Sequence, residues 1–219
     1  MWQQFHAFVA RSKLAIMAAA DNLATSSSSS SSSNDGGGGC GGTDKEGPYG
    51  LVLDLHGQSH DLRHQIGYML RGGDLRRPDA DLDADTTLRD KCSLRASLGT
   101  SRGTPRGISL SALVRGSHSL GALLEARGQA CVPSPGSPDP GKVVYFSGGY
   151  NTAVHGSSAM KHGVVAPLTA AHTPRDRFVA LQIESGRECR GGPAAMGAFA
   201  ADLAASLRVW CAMHAAPLS

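Results

Sequence analysis

Leu51 to Leu53 form a continuous apolar run closed by Asp54, His56 and Gly57, the pattern of a strand buried on both faces. Strand side chains alternate, so Asp54 and His56 share a face. In a parallel sheet His56 stands at the carboxyl end, where open α/β sheets place ligands. Val143 to Phe146 predict a second strand, broken by Ser147-Gly148-Gly149. Phe178 to Glu184 predict a third, with Ala180, Gln182 and Glu184 on one face and Val179, Leu181 and Ile183 on the other. Met196, Phe199, Leu203, Leu207 and Trp210 repeat at helical spacing, which predicts a core-packing helix over about Pro193 to Met213.

Between these blocks the pattern is shorter. Leu62, Ile66, Tyr68, Met69 and Leu70 fit a short helix or a following strand; His60 falls near His56, and His64 is expected on the surface. Residues 72–106 are polar and read as a solvated loop or insertion. Their Asp79-Ala-Asp81-Leu-Asp83-Ala-Asp85 run lacks the glycine and the closing glutamate of a calcium loop. Leu110, Leu113 and Val114 fit a short helix, and Ser119 to Arg127 a second that stops at Gly128. The proline-rich Pro133–Pro140 forms a rigid extended connection, and 157–176 a loop.

The amino-terminal part divides differently. Trp2, Phe5, Val9, Leu14 and Ile16 make an apolar face for a helix over residues 1–23; the absence of acidic residues before Asp21 also loosely resembles a transit peptide, and the helix is preferred. The serine and glycine tracts of residues 24–47 cannot bury enough apolar surface to offset their ordering entropy, so they read as a flexible linker. The remaining unit is 48–214.

Composition narrows the function classes. The net charge is +3, without a basic cluster interleaved with aromatics, which argues against nucleic acid or an anionic membrane as partner. No apolar stretch approaches the roughly 20 residues that span a bilayer. Cys40, Cys92, Cys131, Cys189 and Cys211 are scattered and odd in number, which reads as reduced thiols of an intracellular protein; a cytoplasmic place is expected, with an organelle as the alternative.

Two places carry candidate chemistry. His56, at a strand end before a glycine that permits a sharp turn, is a metal-ligand candidate; a satisfied strand-end histidine is the alternative. Gly148 and Gly149, followed by Tyr150, Asn151, Thr152 and His155, supply the close backbone approach and convergent polar groups of a substrate rim, or else a locally bonded turn.

LDLHG (53–57), HDLRHQIGYML, VRGSHSLGALL, VPSP, YFSGGYNTAVHGS and ALQIESGRECR resemble, in that order, a eukaryotic branch of the N-formylglutamate amidohydrolase family over about residues 47–214. WQQFH (2–6) is similar to the helix that precedes the DLHG strand in that branch. The resemblance implies an α/β/α sandwich with a mixed, mostly parallel sheet, similar in fold to zinc carboxypeptidases, with a catalytic zinc at the sheet's carboxyl edge. It implies His56 as a zinc ligand and Glu184 as the base that works on metal-bound water. Zinc would acidify that water and polarise the amide carbonyl while a carboxylate carries the proton. Asp54, on the face of His56, can orient the imidazole. Arg187 and Arg190 can hold a substrate carboxylate or the developing oxyanion, or pair structurally with Glu188 or another carboxylate. His60, Gly148, Gly149, Tyr150, Asn151, His155 and Arg190 are the substrate-binding candidates, for a small acidic N-acyl amino acid.

The chain departs from the family in two ways. Ala153 and Val154 stand where members often carry arginine. No PHGG-type motif occurs, so the chain reads as the carboxyl-terminal part of the family domain, lacking amino-terminal strands. An exposed sheet edge able to meet a partner or a second copy is then expected. Two functions follow: a zinc-dependent hydrolase of N-formylglutamate or a related N-acyl amino acid, or a non-catalytic remnant or truncated product that acts, if at all, as a binding or scaffold module.

Overall fold

A computed structural model describes residues 50–98, 108–149, 152 and 178–214. Within them the chain is an α/β structure built on a four-stranded mixed sheet. The strands are β1 (Gly50–Gly57), β2 (His64–Gly67), β3 (Cys131–Val132) and β4 (Phe178–Ser185), in the order β1-β4-β2-β3. β1 runs parallel to β4, β2 parallel to β3, and β2 antiparallel to β4. The first and last predicted strands therefore lie side by side, although more than half the chain separates them. Residues 1–23 and 24–47, and the loop 157–176, lie outside the described residues.

One face of the sheet is apolar. Val179, Leu181 and Ile183 alternate with polar or small neighbours along β4 and are at most 1% exposed; Ile66 pairs in register with Ile183 and joins them. Against this face packs the carboxyl-terminal helix, Pro193–His214, through Phe199, Leu203 and Trp210, while Met196 of the expected stripe is exposed. This helix is long and apolar enough by length and composition to cross a membrane, which the residue-by-residue reading missed. Its Asp202 is hydrogen-bonded to Gln129, and the Phe199, Leu203 and Trp210 side chains belong to the protein core.

Residues 72–98 are not the solvated loop expected. They fold into α1 (Gly72–Leu75), α2 (Asp79–Ala84), α3 (Thr86–Lys91) and a 3₁₀ turn at Arg95–Ser97. Each helix is short and buries one leucine, Leu75, Leu82 or Leu88, and Leu94 and Leu98 follow into the same core. The apolar positions are too sparse to make a periodic stripe, yet each is fully used. Asp85 caps α3 by accepting from Thr87 and Leu88 N–H, and Asp83 accepts from the backbone N–H and hydroxyl of Ser111. These aspartates are thus committed to caps and ties.

The next two helices form as predicted. Ser109 caps α4 (Leu110–Arg115), and Ser119 caps α5 (Leu120–Glu125). The second ends at Gly128, whose φ of +83° suits glycine while Gly128 and Gln129 N–H close on Glu125 and Leu124 carbonyls. With this helix the carboxyl-terminal one becomes α6, and the two pack together. Pro133–Pro140 holds neither helix nor strand but runs in bends rather than extended. Glu125 clasps it by accepting from Ser134 Oγ and Gly136 N–H.

Three strand expectations need correction. Leu51 and Leu53 are half-buried and Leu55 is 58% exposed, because β1 is an outer strand of the described sheet and not a central one. Val143 to Phe146 make no ladder. Their backbone is held instead by side chains: Gln65 donates to Val144 O and accepts from Phe146 N–H, and Tyr145 OH donates to Ile66 O. His64 is 4% exposed, not on the surface, because it opens β2 on the apolar face beneath Phe199.

Candidate functional site

The polar face of the sheet gathers the residues that the sequence singled out at two strand ends. In the parallel pairing Asp54 stands opposite Gln182, and His56 opposite Glu184. Partners in a parallel ladder project to the same side, so all four side chains share one face. His56 is half exposed and Glu184 only 5% exposed. His56 Nε2 lies 2.9 Å from Asp54 Oδ1, as expected of a carboxylate that orients an imidazole. With Nε2–H directed at Asp54, Nδ1 is the ring nitrogen that could meet a ligand.

Glu184 has its own support. Gln182 Nε2–H donates to Glu184 Oε1 at 2.6 Å, and its antiparallel partner across β2 is Gln65. The glycine segment passes over the neighbouring position. Gly67 opposes Gln182, and a side chain on Gly67 would meet the backbone of Ser147 and Gly148. Gly148, at φ +82°, lies so close to the Gln182 side chain that an added Cβ would sit 3.3 Å from Gln182 Cβ. Thr152 is 1% exposed, and its hydroxyl has no hydrogen-bond partner among the described residues. The segment around Gly148 is thereby brought beside Gln182, next to Glu184, while Gly149 faces open space. Tyr150, Asn151 and His155 lie outside the described residues.

The ends of β1 and β4 are tied to each other. Ser185 Oγ donates to His56 O, Gln58 N–H to Ser185 O, and Arg190 NH2 to Gln58 O at 2.6 Å. The Arg190 guanidinium covers Gly57 so closely that any Cβ there would stand 2.8 Å from its nitrogen. Arg190 therefore borders the His56 strand end through Gln58 rather than through an ion pair with Glu188. Arg187 is exposed on the turn before it. His60 is also exposed; its ring centroid lies 6.0 Å from that of Phe146.

The sequence places Gln182 on the face of Glu184 but singles out neither Gln58 nor Gln65. Gln58 is 4% exposed and organises its loop by donating to Asp61 O and Arg63 O and accepting from His60 and Asp61 N–H. Gln65 tethers the 144–146 segment, and Gln182 holds Glu184. A glutamine set directly before an isoleucine, as in HQIG and LQIE, is the signal that was available. Such a side chain is buried only where both ends of its amide are used.

Among the described residues no group of three His, Cys, Asp or Glu stands together as a metal-holding set. His56 and Glu184 fall short of the three protein ligands that a catalytic zinc takes. A surface pocket of about 510 Å³ lies elsewhere, lined by Arg76, Arg77, Asp79, Arg115, Pro138 and Asp139, and holds none of the candidate residues. Arg115 within it is spent on structure, donating to Asp79, Arg77 O and Leu75 O.

No protein-family model matches the chain, and neither a curated protein nor a solved structure matches it.

Proposed function

We propose that the chain is related to the N-formylglutamate amidohydrolases and that its strand-end site served hydrolysis of the linear amide bond of an N-acyl amino acid. The observation that carries this reading is the register of His56 with Glu184 at the carboxyl ends of two parallel strands, with Asp54 on the imidazole. Glu184, steadied by Gln182, can take a proton from a water attacking the acyl carbon and return it to the departing amine. Arg187 and Arg190 offer positive charge on the adjoining turn for a substrate carboxylate. The zinc-carboxypeptidase-like sandwich belongs to this proposal, as does zinc itself, whose ligands beyond His56 would come from outside the described residues.

A second reading, a non-catalytic binding or scaffold module, is favoured by the exposed Leu55 on the outer strand. Zinc content of the purified full chain and release of formate from N-formylglutamate separate the two. The hydrolase reading expects about one zinc per chain, with His56→Ala losing both metal and activity and Glu184→Gln losing activity alone. Neither zinc nor turnover in the unaltered protein would leave the second reading standing.

A further inference from the structure

The turn that follows Glu184 is seated on a buried histidine. Gly186 N–H donates to His64 Nδ1 at 3.2 Å, so Nδ1 presents a lone pair and the ring proton belongs to Nε2. Nε2 meets Gln129 Oε1 at 3.2 Å, and Gln129 Nε2–H donates onward to Asp202 Oδ2 at 2.7 Å. The imidazole stacks on Phe199 with centroids 4.2 Å apart and planes 14° from parallel. Four parts of the chain therefore meet on one ring: the start of β2, the end of β4, the Gln129 approach to β3, and α6. Gly186 packs so close to the Leu62 carbonyl that the seat has no room for a side chain there.

We propose that His64 is a positioning residue: as a neutral imidazole it clamps the Gly186 turn, and with it Glu184 and Arg190, to α6, and acid releases the clamp. Protonation would place a second N–H on the ring where Gly186 already points its own, and two donors facing each other in a dry site cannot both be satisfied. Burial, the larger influence, lowers the His64 pKa, and the Gln129 hydrogen bond opposes it. The ionisable groups on the surrounding elements are Cys131, its register partner on β3, Asp202 on α6, and Arg187, Glu188, Cys189 and Arg190 beyond Gly186. On its own side stands Arg63, paired with Asp61. Asp202 touches the ring only through Gln129. The unfolded chain binds the proton more readily than the folded one, so acidification from about pH 6.5 downward favours opening.

The consequence for catalysis rests on the reading of Glu184 as a base; the clamp itself does not, and the test uses no substrate. Nitrogen-15 NMR of the full chain follows the His64 ring and the Gly186 amide against pH. The expected result is an Nε2–H tautomer near neutrality and a His64 midpoint below about 6.5. Gly186 exchange, corrected for its intrinsic rate, should rise roughly five- to tenfold in step with that midpoint. Gln129→Leu removes the bond that opposes the shift and should lower the midpoint further. An Nδ1–H tautomer, a midpoint at or above about 6.5, or Gly186 exchange indifferent to pH would overturn the clamp. The titration of the unaltered protein needs no variant to fold. An inactive protein with the titration intact refutes the hydrolase proposal alone, whereas an active one without it refutes the clamp alone.

Discussion

Replacing Gln65 by leucine tests whether a side chain, rather than a strand ladder, holds the glycine segment beside Glu184. Gln65 is fully buried, donates to Val144 O at 2.7 Å and accepts from Phe146 N–H at 3.0 Å. Leucine fills similar space and removes both bonds. Val144 is exposed, so its carbonyl recovers water and costs about 1 kcal/mol, while the half-buried Phe146 N–H costs about 1–3. The added apolar burial returns about 1 kcal/mol, leaving a net loss of about 1–3. With a urea slope of about 2 kcal/mol/M, the unfolding midpoint should fall by about 0.5–1.5 M at unchanged slope. Gln65→Glu sharpens the test. It keeps the acceptor for Phe146 but buries a charge and loses the donor at neutral pH; protonating the new carboxyl in mild acid restores the donor. Its deficit should exceed that of Gln65→Leu near pH 7 and shrink on acidification. A midpoint shift below about 0.2 M for Gln65→Leu would refute the tether, since no buried partner would then have been orphaned.

Gly186→Ala should destabilise the protein by about 2–3 kcal/mol or prevent folding, because the Leu62 backbone that its Cβ would strike cannot swing away like a side-chain tip; calorimetry showing an unshifted melting temperature would contradict the packing. Burial pushes the Cys92 thiol up to about 12 and the Cys131 thiol higher still, so both should resist alkylation in the native chain and react on unfolding, as peptide mapping after iodoacetamide would read. His64, whose folded pKa is lowered by burial, makes stability fall as pH drops from about 6.5 through that lowered value, and His64→Phe should flatten this part of the pH–stability curve.

What could be read from the chain depended on how many residues carried each signal. β1 and β4 were legible because each is an apolar run closed by ionisable residues, Asp54 and His56 in one and Glu184 in the other, and the family resemblance suggested that His56 and Glu184 act together. Their side-by-side register is a tertiary fact: β1 must find β4 across more than a hundred residues, which no local pattern encodes. The leucines of 72–98 misled because each short helix offers only one buried position, below what periodicity can resolve. His64 misled, and Gln58 and Gln65 carried no signal, for a different reason. Polarity predicts exposure only while water is the better partner, and at these sites the protein supplies the partners. Gln65 takes a backbone carbonyl and N–H, Gln182 takes Glu184, and His64 takes Gly186 and Gln129. These same residues steady the Glu184 strand end. A site built from neutral amides and an imidazole between apolar neighbours therefore looks, in sequence, like scattered surface polarity. It becomes visible only when the acceptors and donors of the backbone around it are counted.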